Sequence, residues 1–519
     1  MSALMLLAAL FVSTAFCADP IPIAPTKMAP VATIDERFQS FNIEMVEVTG
    51  GRFWAPYKKG TDAATADNAA NKLAVPGIDP SAFRMRPPID LASPRLRKLA
   101  AALGPAYVRV SGTWANSTFF QDSDGPAPAA PPAGFGSVLT RQAWRGAIDF
   151  SKAVNAGIVT SFAVSDGVRD SAGVWTADQA RQLVGFTKAS GGAIAAAEFF
   201  NEPSFASMGG APKGYDAAAY GRDFKLFRAF ARQAAPDLII LGPGSVGEAT
   251  PIAANTPMLH SADMLTASGP GVDAFSYHFY GTVSQRCSPA GPKTPQAIVE
   301  FALSEEWLAR TGRDQEFYAA LRDRFEPGKA MWLTETGEAA CGGDPWASSF
   351  VDSFRYLDQL GRLAKRGVKI VAHNTLAASD YGLIDEDTLV PRPNYWSALL
   401  WRKLMGTTVL DAGLPPAANL HLYAHCLRGH AGGVAVLAIN TGIQAAAGLT
   451  VPMPAERYTL ASSDLLSATV TLNGRELKLG PNDTLPEISG SPVAAGTVDL
   501  APESITFLAF PNAANAACR

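Results

Sequence analysis

Eight short apolar runs, with helical patterns between most of them, fill residues 38–405 and constrain this chain more than any other feature. The runs are 41–48, 106–112, 158–165, 194–202, 238–245, 272–280, 330–335 and 369–376. Helical spacing marks 141–156, 176–190, 215–235, 294–323 and 346–367. Such alternation requires a parallel sheet, because parallel neighbours are joined by crossovers long enough to hold a helix. Eight units of this kind close into a (β/α)8 barrel. A doubly wound open sheet is the competing architecture, but no GxGxxG follows the first strand to support it.

Beyond about residue 410 the pattern changes to short strands separated by Gly, Pro and Asn: HLYAHCLR, GVAVLAIN, RYTLASS, ATVTLNG and SITFLAF. This reads as an antiparallel β-sandwich, giving a catalytic barrel over 38–408 and a sandwich over 409–519. The fold class is therefore α/β: a TIM barrel with a C-terminal β-sandwich. Two stretches look inserted, 49–90, which has little period, and 121–137, a Pro/Ala/Gly loop.

Lys and Arg number 43 against 47 Asp and Glu, a net charge of −4, which argues against nucleic acid as a partner. No internal stretch approaches 18 apolar residues, so no transmembrane segment is expected. Residues 4–16, LMLLAALFVSTAF, have signal-peptide length, and Ala15 and Cys17 supply small residues before a cleavage point, although no Lys or Arg precedes the run. A leader over 1–18 predicts export, to a secreted or periplasmic location. It leaves Cys287, Cys341, Cys426 and Cys518, an even count that points to two disulfides. No CxxC pair is present, and His421 and His425 lie too far apart on a strand for one metal. No metal or other cofactor is expected.

In a barrel of this type the chemistry sits at the C-terminal ends of the strands. The fourth run ends in Asn201-Glu202-Pro203 and the seventh in Thr334-Glu335-Thr336. Two carboxylates facing each other across the mouth suit glycoside hydrolysis, one as acid and one as nucleophile or base. A lone NEP is a weak signal, and a strand-end glutamate is commonly a solvated surface residue. The pair in these two positions is the stronger observation. Glu198 shares the face of Glu202 by the strand period and reads as a buried structural acid with Arg109 as its candidate partner; Arg109 could instead hold the nucleophile. Glu338 reads as solvated, and Asp385, Glu386 and Asp387 as a loop cluster. His278 and Tyr280 end the sixth run on one face, pointing into the mouth; a lone strand-end His is usually a structural residue, but the two together beside two carboxylates are expected to orient the nucleophile and line the sugar site. Trp114, Phe119, Trp332 and Tyr381 are candidate stacking faces, although most barrel aromatics are simply core.

The segments SPRLRKLAAALGPAYVRVSGT, FFNEPSF, AFSYHFYG, MWLTETGEAACGG and SDYGLIDEDTLVPRPNYWSALLWRKLMGT resemble glycoside hydrolase family 79, which contains heparanases and exo-acting β-glucuronidases. The resemblance runs from about residue 34 to the C-terminus. It implies a retaining double displacement, with Glu202 as acid/base and Glu335 as nucleophile. It implies further that residues 19–37 send a strand to the sandwich and that Cys426 pairs with Cys518. Glu44 matches an acidic residue that touches sugar hydroxyls. Thr113 matches the threonine of a GGT motif whose first glycine is Ser111 here, and Asn201 matches the amide that bonds the 2-hydroxyl.

For a glucuronate carboxylate, the resemblance implies backbone N–H groups of a glycine-rich loop, matched by Gly342 and Gly343, plus Tyr381. Cys341 stands where relatives often carry glycine and retains its N–H; a bridge to Cys287 would pin that loop. The basic runs at 95–98 and 365–369 read as helix faces rather than a sulfate-binding groove. These features imply an exo-acting β-glucuronidase, its partner a β-glucuronide or a glucuronic-acid-containing glycan. The alternatives are an endo-acting enzyme on heparan sulfate or hyaluronan, the same barrel acting on another sugar, and an inactive glycan-binding relative.

Overall fold

The computed structural model describes residues 19–57, 79–249, 257–288, 293, 298–413, 419–443 and 447–519. The leader expected over 1–18, part of the 49–90 insertion and part of the 294–323 stretch lie outside the described residues. Eight parallel strands form a closed barrel: β1 (Gln39–Glu44), β2 (Ala106–Ser111), β3 (Ala156–Thr160), β4 (Ile194–Glu198), β5 (Ile239–Ser245), β6 (Ala274–Tyr280), β7 (Ala330–Gly337) and β8 (Ile370–His373). They pair in chain order, and β8 closes on β1. The longer helices among the described residues are α1 (Pro94–Ala102), α2 (Arg141–Ala153), α3 (Asp178–Ala189), α4 (Ala217–Ala234), α5 (Ser261–Ser268), α6 (Arg310–Phe325), α7 (Val351–Lys365) and α8 (Pro393–Leu404).

Local chemistry sets the helix starts. Ser93 accepts from Leu96 N, with Pro94 in the first turn of α1. Thr140 caps α2 and Asp216 caps α4 in the same way. α2 then buries Trp144, Ala147, Ile148 and Phe150 along one stripe against the barrel.

Several expectations need correction. The 294–323 stretch is not one helix; Val299–Ala302 and Glu305–Leu308 precede α6. β1 ends at Glu44, where a helix begins (Met45–Thr49), because Glu44 and Glu47 form a reciprocal capping box. The 49–90 insertion contains a hairpin, Gly51–Trp54 against Phe83–Arg86. The run 365–369 is the last residue of α7 and the turn beyond it. Among the described residues, no helix is long and apolar enough to cross a membrane.

The barrel interior is layered. Tyr107, Val159, Ala196, Leu241, Ala274, Trp332 and Ile370 form one apolar cluster. Trp332 therefore plugs the barrel, 5.0 Å from the Tyr107 ring, and is no stacking face at the mouth. Two residues further along β2 and β4 stand Arg109 and Glu198, so the strand period changes the interior from apolar to ionic in one step.

Two sheets lie beyond the barrel. A nine-stranded sheet runs in the order Pro30–Thr33, Met405–Leu410, Leu420–Leu427, Val434–Asn440, Ser504–Phe510, Ala455–Ala461, Thr471–Leu472 and Arg475–Glu476, with Ser491–Val493 paired to Ala455–Ala461. A three-stranded sheet holds Ile21–Pro22, Ala447–Val451 and Gly496–Leu500. Val434, Val436, Leu449, Val451, Val498 and Leu500 share one apolar cluster between them. The other face of the large sheet docks on α7, where Asp358 accepts from the Tyr423 hydroxyl at 2.6 Å and contacts His421 at the same distance. A disulfide joins Cys426 to Cys518.

Candidate active site

Register alone would not deliver Glu335 to the interior. Trp332 and Thr334 face inward on β7, so strict alternation turns the next residue out. A register shift opposite Tyr277/His278 breaks the alternation, and consecutive residues Thr334 and Glu335 both reach the interior cluster. On β6 the alternation holds, with His278 and Tyr280 inward and Tyr277 outward against Tyr318 of α6.

β4 ends at Glu198, so the pleat does not carry Glu202 onto the face of Glu198 as the sequence period implied. Glu202 gets there through a left-handed backbone (φ 49°) after a bend. Asn116 secures that bend, accepting from Asn201 N at 2.8 Å and donating to Asn201 O at 2.9 Å.

Arg109, 1% exposed, ties these groups together. It donates to Glu335 Oε2 at 2.7 Å, to Glu198 Oε2 at 2.8 and 3.2 Å, and to Asn201 Oδ1 at 2.7 Å. Tyr280 donates to the other oxygen of Glu335 at 2.7 Å. His278 Nδ1 lies 3.1 Å from Glu202 Oε1. Thus one glutamate is held by a guanidinium and a phenol, and the other by an imidazole.

Burial and neighbours push the titrations apart. Burial raises the Glu202 carboxyl, with the Glu335 charge adding to the rise and His278 opposing it. Glu44 is pushed well above its ordinary value, first by burial and then by Glu335. Burial would also raise Glu198, but Arg109 and His278 outweigh it and hold that carboxylate well below the usual range. Burial would lower His278, yet Glu335 and Glu198 reverse the effect and push it up to about 9.

The remaining expected residues are placed as follows. Glu44 packs under Gly112, whose φ of 86° and missing Cβ leave the space that Glu44 Oε2 fills. Thr113 Oγ1 lies 3.4 Å from Asn201 Nδ2. Tyr381 reaches the cluster through Asn374, whose amide donates to Tyr280 Oη at 2.9 Å and Tyr381 Oη at 3.2 Å. Cys341 is bridged to Cys287. Gly342 is packed so that a Cβ would lie 2.6 Å from Trp54 Cβ. Gly342 O accepts from Asp380 N and Ser379 Oγ, so the link from this loop to the carboxylates runs through the segment carrying Tyr381. The N–H of Gly343 is engaged with Ala339 O.

Glu338 is a correction. It is fully buried, with Oε2 accepting from Asp344 N at 2.8 Å, because the bridged loop folds back over it. Glu386 is buried too, paired with Arg84 and Arg86. Phe119 packs on Phe135, while Trp114 stays half-buried beside Phe53. Asn374 and Asn116 escaped the sequence reading; Asn374's place just past the eighth strand was the available signal.

Glu202, His278 and Glu335 offer ligand atoms within 4.8 Å of one another, a spacing that admits a cation. The donor set fits one poorly. Arg109 already bonds Glu335 and lies 3.2 Å from His278 Nε2, so a fixed positive charge stands among the donors.

The family model described as glycosyl hydrolase family 79, N-terminal domain, matches residues 88–361. The chain belongs to this family. It is a glycoside hydrolase. Heparanase-like protein 1 of Arabidopsis thaliana is 26% identical over 491 residues, covering 83% of this chain and 86% of the relative. Heparanase of Mus musculus is 28% identical over 488 residues, covering 82% and 88%. Baicalin-beta-D-glucuronidase of Scutellaria baicalensis is 32% identical over 191 residues, covering 35% and 36%. Among solved structures, a 4-O-alpha-L-rhamnosyl-beta-D-glucuronidase from Fusarium oxysporum 12S superposes with a TM-score of 0.63 at 13% identity, covering 94% of this chain and 99% of that one. At that identity the likeness speaks for the fold alone.

Proposed function

We propose that this enzyme is a retaining, exo-acting β-glucuronidase that releases terminal β-linked glucuronic acid from glycans or glucuronide conjugates. The observation that carries the reading is the closeness of Glu202 and Glu335, with one carboxylate oxygen of each within 4.8 Å of the other. Retaining pairs stand ~5–5.5 Å apart, whereas inverting pairs at ~6.5–9.5 Å make room for a water. Glu335, held by Arg109 and Tyr280, attacks the anomeric carbon. The bond to the aglycone oxygen breaks as Glu202 gives that oxygen its proton. A water then transfers a proton to Glu202 and attacks the anomeric carbon, freeing Glu335 and keeping the β configuration.

The surrounding groups have roles consistent with this chemistry. Arg109 occupies Asn201 Oδ1, and with one amide N–H towards Thr113 the other is left to donate to the sugar 2-hydroxyl. Glu44 takes sugar hydroxyls. Tyr381 accepts from Asn374 and so keeps its own O–H for the sugar carboxylate, together with the N–H groups of Cys341 and Gly342. The kinship to a plant baicalin-beta-D-glucuronidase supports glucuronate as the sugar.

The exo mode rests on the hairpin Gly51–Trp54/Phe83–Arg86. It is tied to the segment after β8 by Arg84 to Glu386 and Asp387, and Arg286 donates to Ala55 O at 2.5 Å. Trp54 lies against Gly342, and in this reading the hairpin walls one side of the mouth. The two sheets around 405–519 read as the β-sandwich that buttresses the barrel, and the two disulfides support export.

A second reading, endo-acting and heparanase-like, is favoured by the alignment with mouse heparanase over 488 residues. Product analysis on aryl glucuronide, heparan sulfate and hyaluronan separates the two. Free glucuronic acid with unchanged polymer size supports the exo reading; internal fragments and falling polymer size refute it. Turnover of aryl glucoside or aryl xyloside without turnover of aryl glucuronide refutes the sugar assignment.

A further inference from the structure

Glu198 has no exposed surface, yet it touches a holder of each catalytic carboxylate. Its Oε2 accepts from Arg109 Nη2 at 2.8 Å and Nε at 3.2 Å, and Arg109 Nη1 is the donor to Glu335. Its Oε1 accepts at 2.6 Å from the hydroxyl of Thr334, the residue next to Glu335 at the register shift. The same oxygen lies 3.6 Å from His278 Nε2, and the far side of that ring meets Glu202. Gly244 (φ 72°) gives the carboxylate its space, since a Cβ there would lie 2.9 Å from Glu198 Oε1. A salt bridge meant only to fill the barrel would not need three partners that each lead to the reacting pair.

We propose that Glu198 is a positioning residue for the reaction: its buried charge fixes Arg109 on Glu335 and stands as the anion behind the His278 ring that meets Glu202. The inference rests on the assignment of Glu202 and Glu335 as the catalytic pair. Without Glu198 the guanidinium loses two of its five contacts to the cluster, the fifth being to His278 Nε2 at 3.2 Å, and is free to turn towards Glu335. The imidazole loses an anion at its inner nitrogen, which lowers its proton affinity whatever the other groups do. The charged and titratable groups facing Glu198 are Arg109 from β2, His278 from β6 and Tyr220 from α4. Glu335 and Arg109 also bear on His278, and both remain in the variant.

The test uses Glu198→Gln, which keeps shape and an acceptor for Arg109, and Glu198→Asp, which keeps the charge on a shorter stem. The protein has six histidines, so the His278 resonance of a histidine-labelled sample is assignable through a His278→Asn control. In Glu198→Gln the His278 titration midpoint falls by about 1–3 pH units, the empirical scale of losing one opposite charge a few ångströms away. On an aryl glycoside with a poor leaving group, kcat falls about 10-fold or more while KM changes less than 3-fold, because Glu198 touches no substrate. Glu198→Asp restores part of both. A folded Glu198→Gln protein with an unmoved His278 midpoint overturns the proposal, as does a loss confined to KM. The NMR arm needs no turnover. If Glu335→Gln remains active, the catalytic-pair reading fails; if Glu335→Gln is dead and His278 is unmoved in Glu198→Gln, only the Glu198 proposal fails.

Discussion

Replacing Arg109 by Met removes a buried cation that faces two buried carboxylates. The guanidinium stands 2.8 Å from Glu198 and 2.7 Å from Glu335. At an effective dielectric of ~20, a unit pair at 2.8 Å interacts by about 6 kcal/mol. Desolvation offsets much of that, and removing one partner of a buried pair costs about 3–5 kcal/mol in practice. Unfolding entropy near 2.1 cal/mol/K per residue makes about 1 kcal/mol per kelvin for 519 residues, so Tm should fall by about 3–5 °C at neutral pH. The pH dependence is the sharper check. In the native protein Glu198 is held below its unfolded value, so its contribution is full above the ordinary carboxylate range and lost as pH falls through the depressed value. In Arg109→Met burial dominates and Glu198 is raised instead, so protonation relieves the variant as pH falls. Scanning fluorimetry at pH 5 and pH 7.5 should therefore show a smaller Tm gap between the two proteins at pH 5. A gap that is constant, or wider at pH 5, refutes the electrostatic reasoning.

Gly112→Ala forces a Cβ into Glu44 at a left-handed φ of 86°; kcat/KM should drop at least about 10-fold with Tm lowered, measured by steady-state kinetics and fluorimetry. The two disulfides should separate in effect. Cys518→Ser opens a 92-residue loop and Cys341→Ser a 54-residue loop, each worth about 4–5 kcal/mol in the chain-entropy view, but only Cys341→Ser should raise KM. Because Glu202 is raised by burial and the Glu335 charge, activity on poor leaving groups should be full at acid pH and decline as pH rises through that elevated value. Glu202→Ala should spare glycosyl transfer from good leaving groups and cripple it from poor ones; equal loss on both would remove Glu202 from the acid role.

Most of the barrel was legible because its strands carry near-continuous apolar runs bounded by turn residues, as parallel strands buried on both faces must. Arg109 and Glu198 were readable as a buried pair because ionic side chains inside apolar strands need each other. The period argument failed at Glu202, where the strand had already ended, although that glutamate still reaches the mouth. Glu335 reaches it through a register shift that no period in the sequence announces. Glu338 was misread because a glutamate three residues past a strand end resembles surface; a loop folded back beside the Cys287–Cys341 bridge buries it. Trp332 was misread because its aromatic ring says nothing of depth along the barrel axis. Asn374 bridges two phenols contributed by β6 and the segment after β8, a meeting that no local pattern encodes.

The account turns on Glu335 forming a bond to the sugar. Incubation with a 2-deoxy-2-fluoro-glucuronyl fluoride, followed by peptide mass spectrometry, should place the glucuronyl adduct on Glu335, and NMR of fresh aryl glucuronide turnover should show the β-anomer first. An adduct on another residue, or an α-anomer as first product, would contradict it.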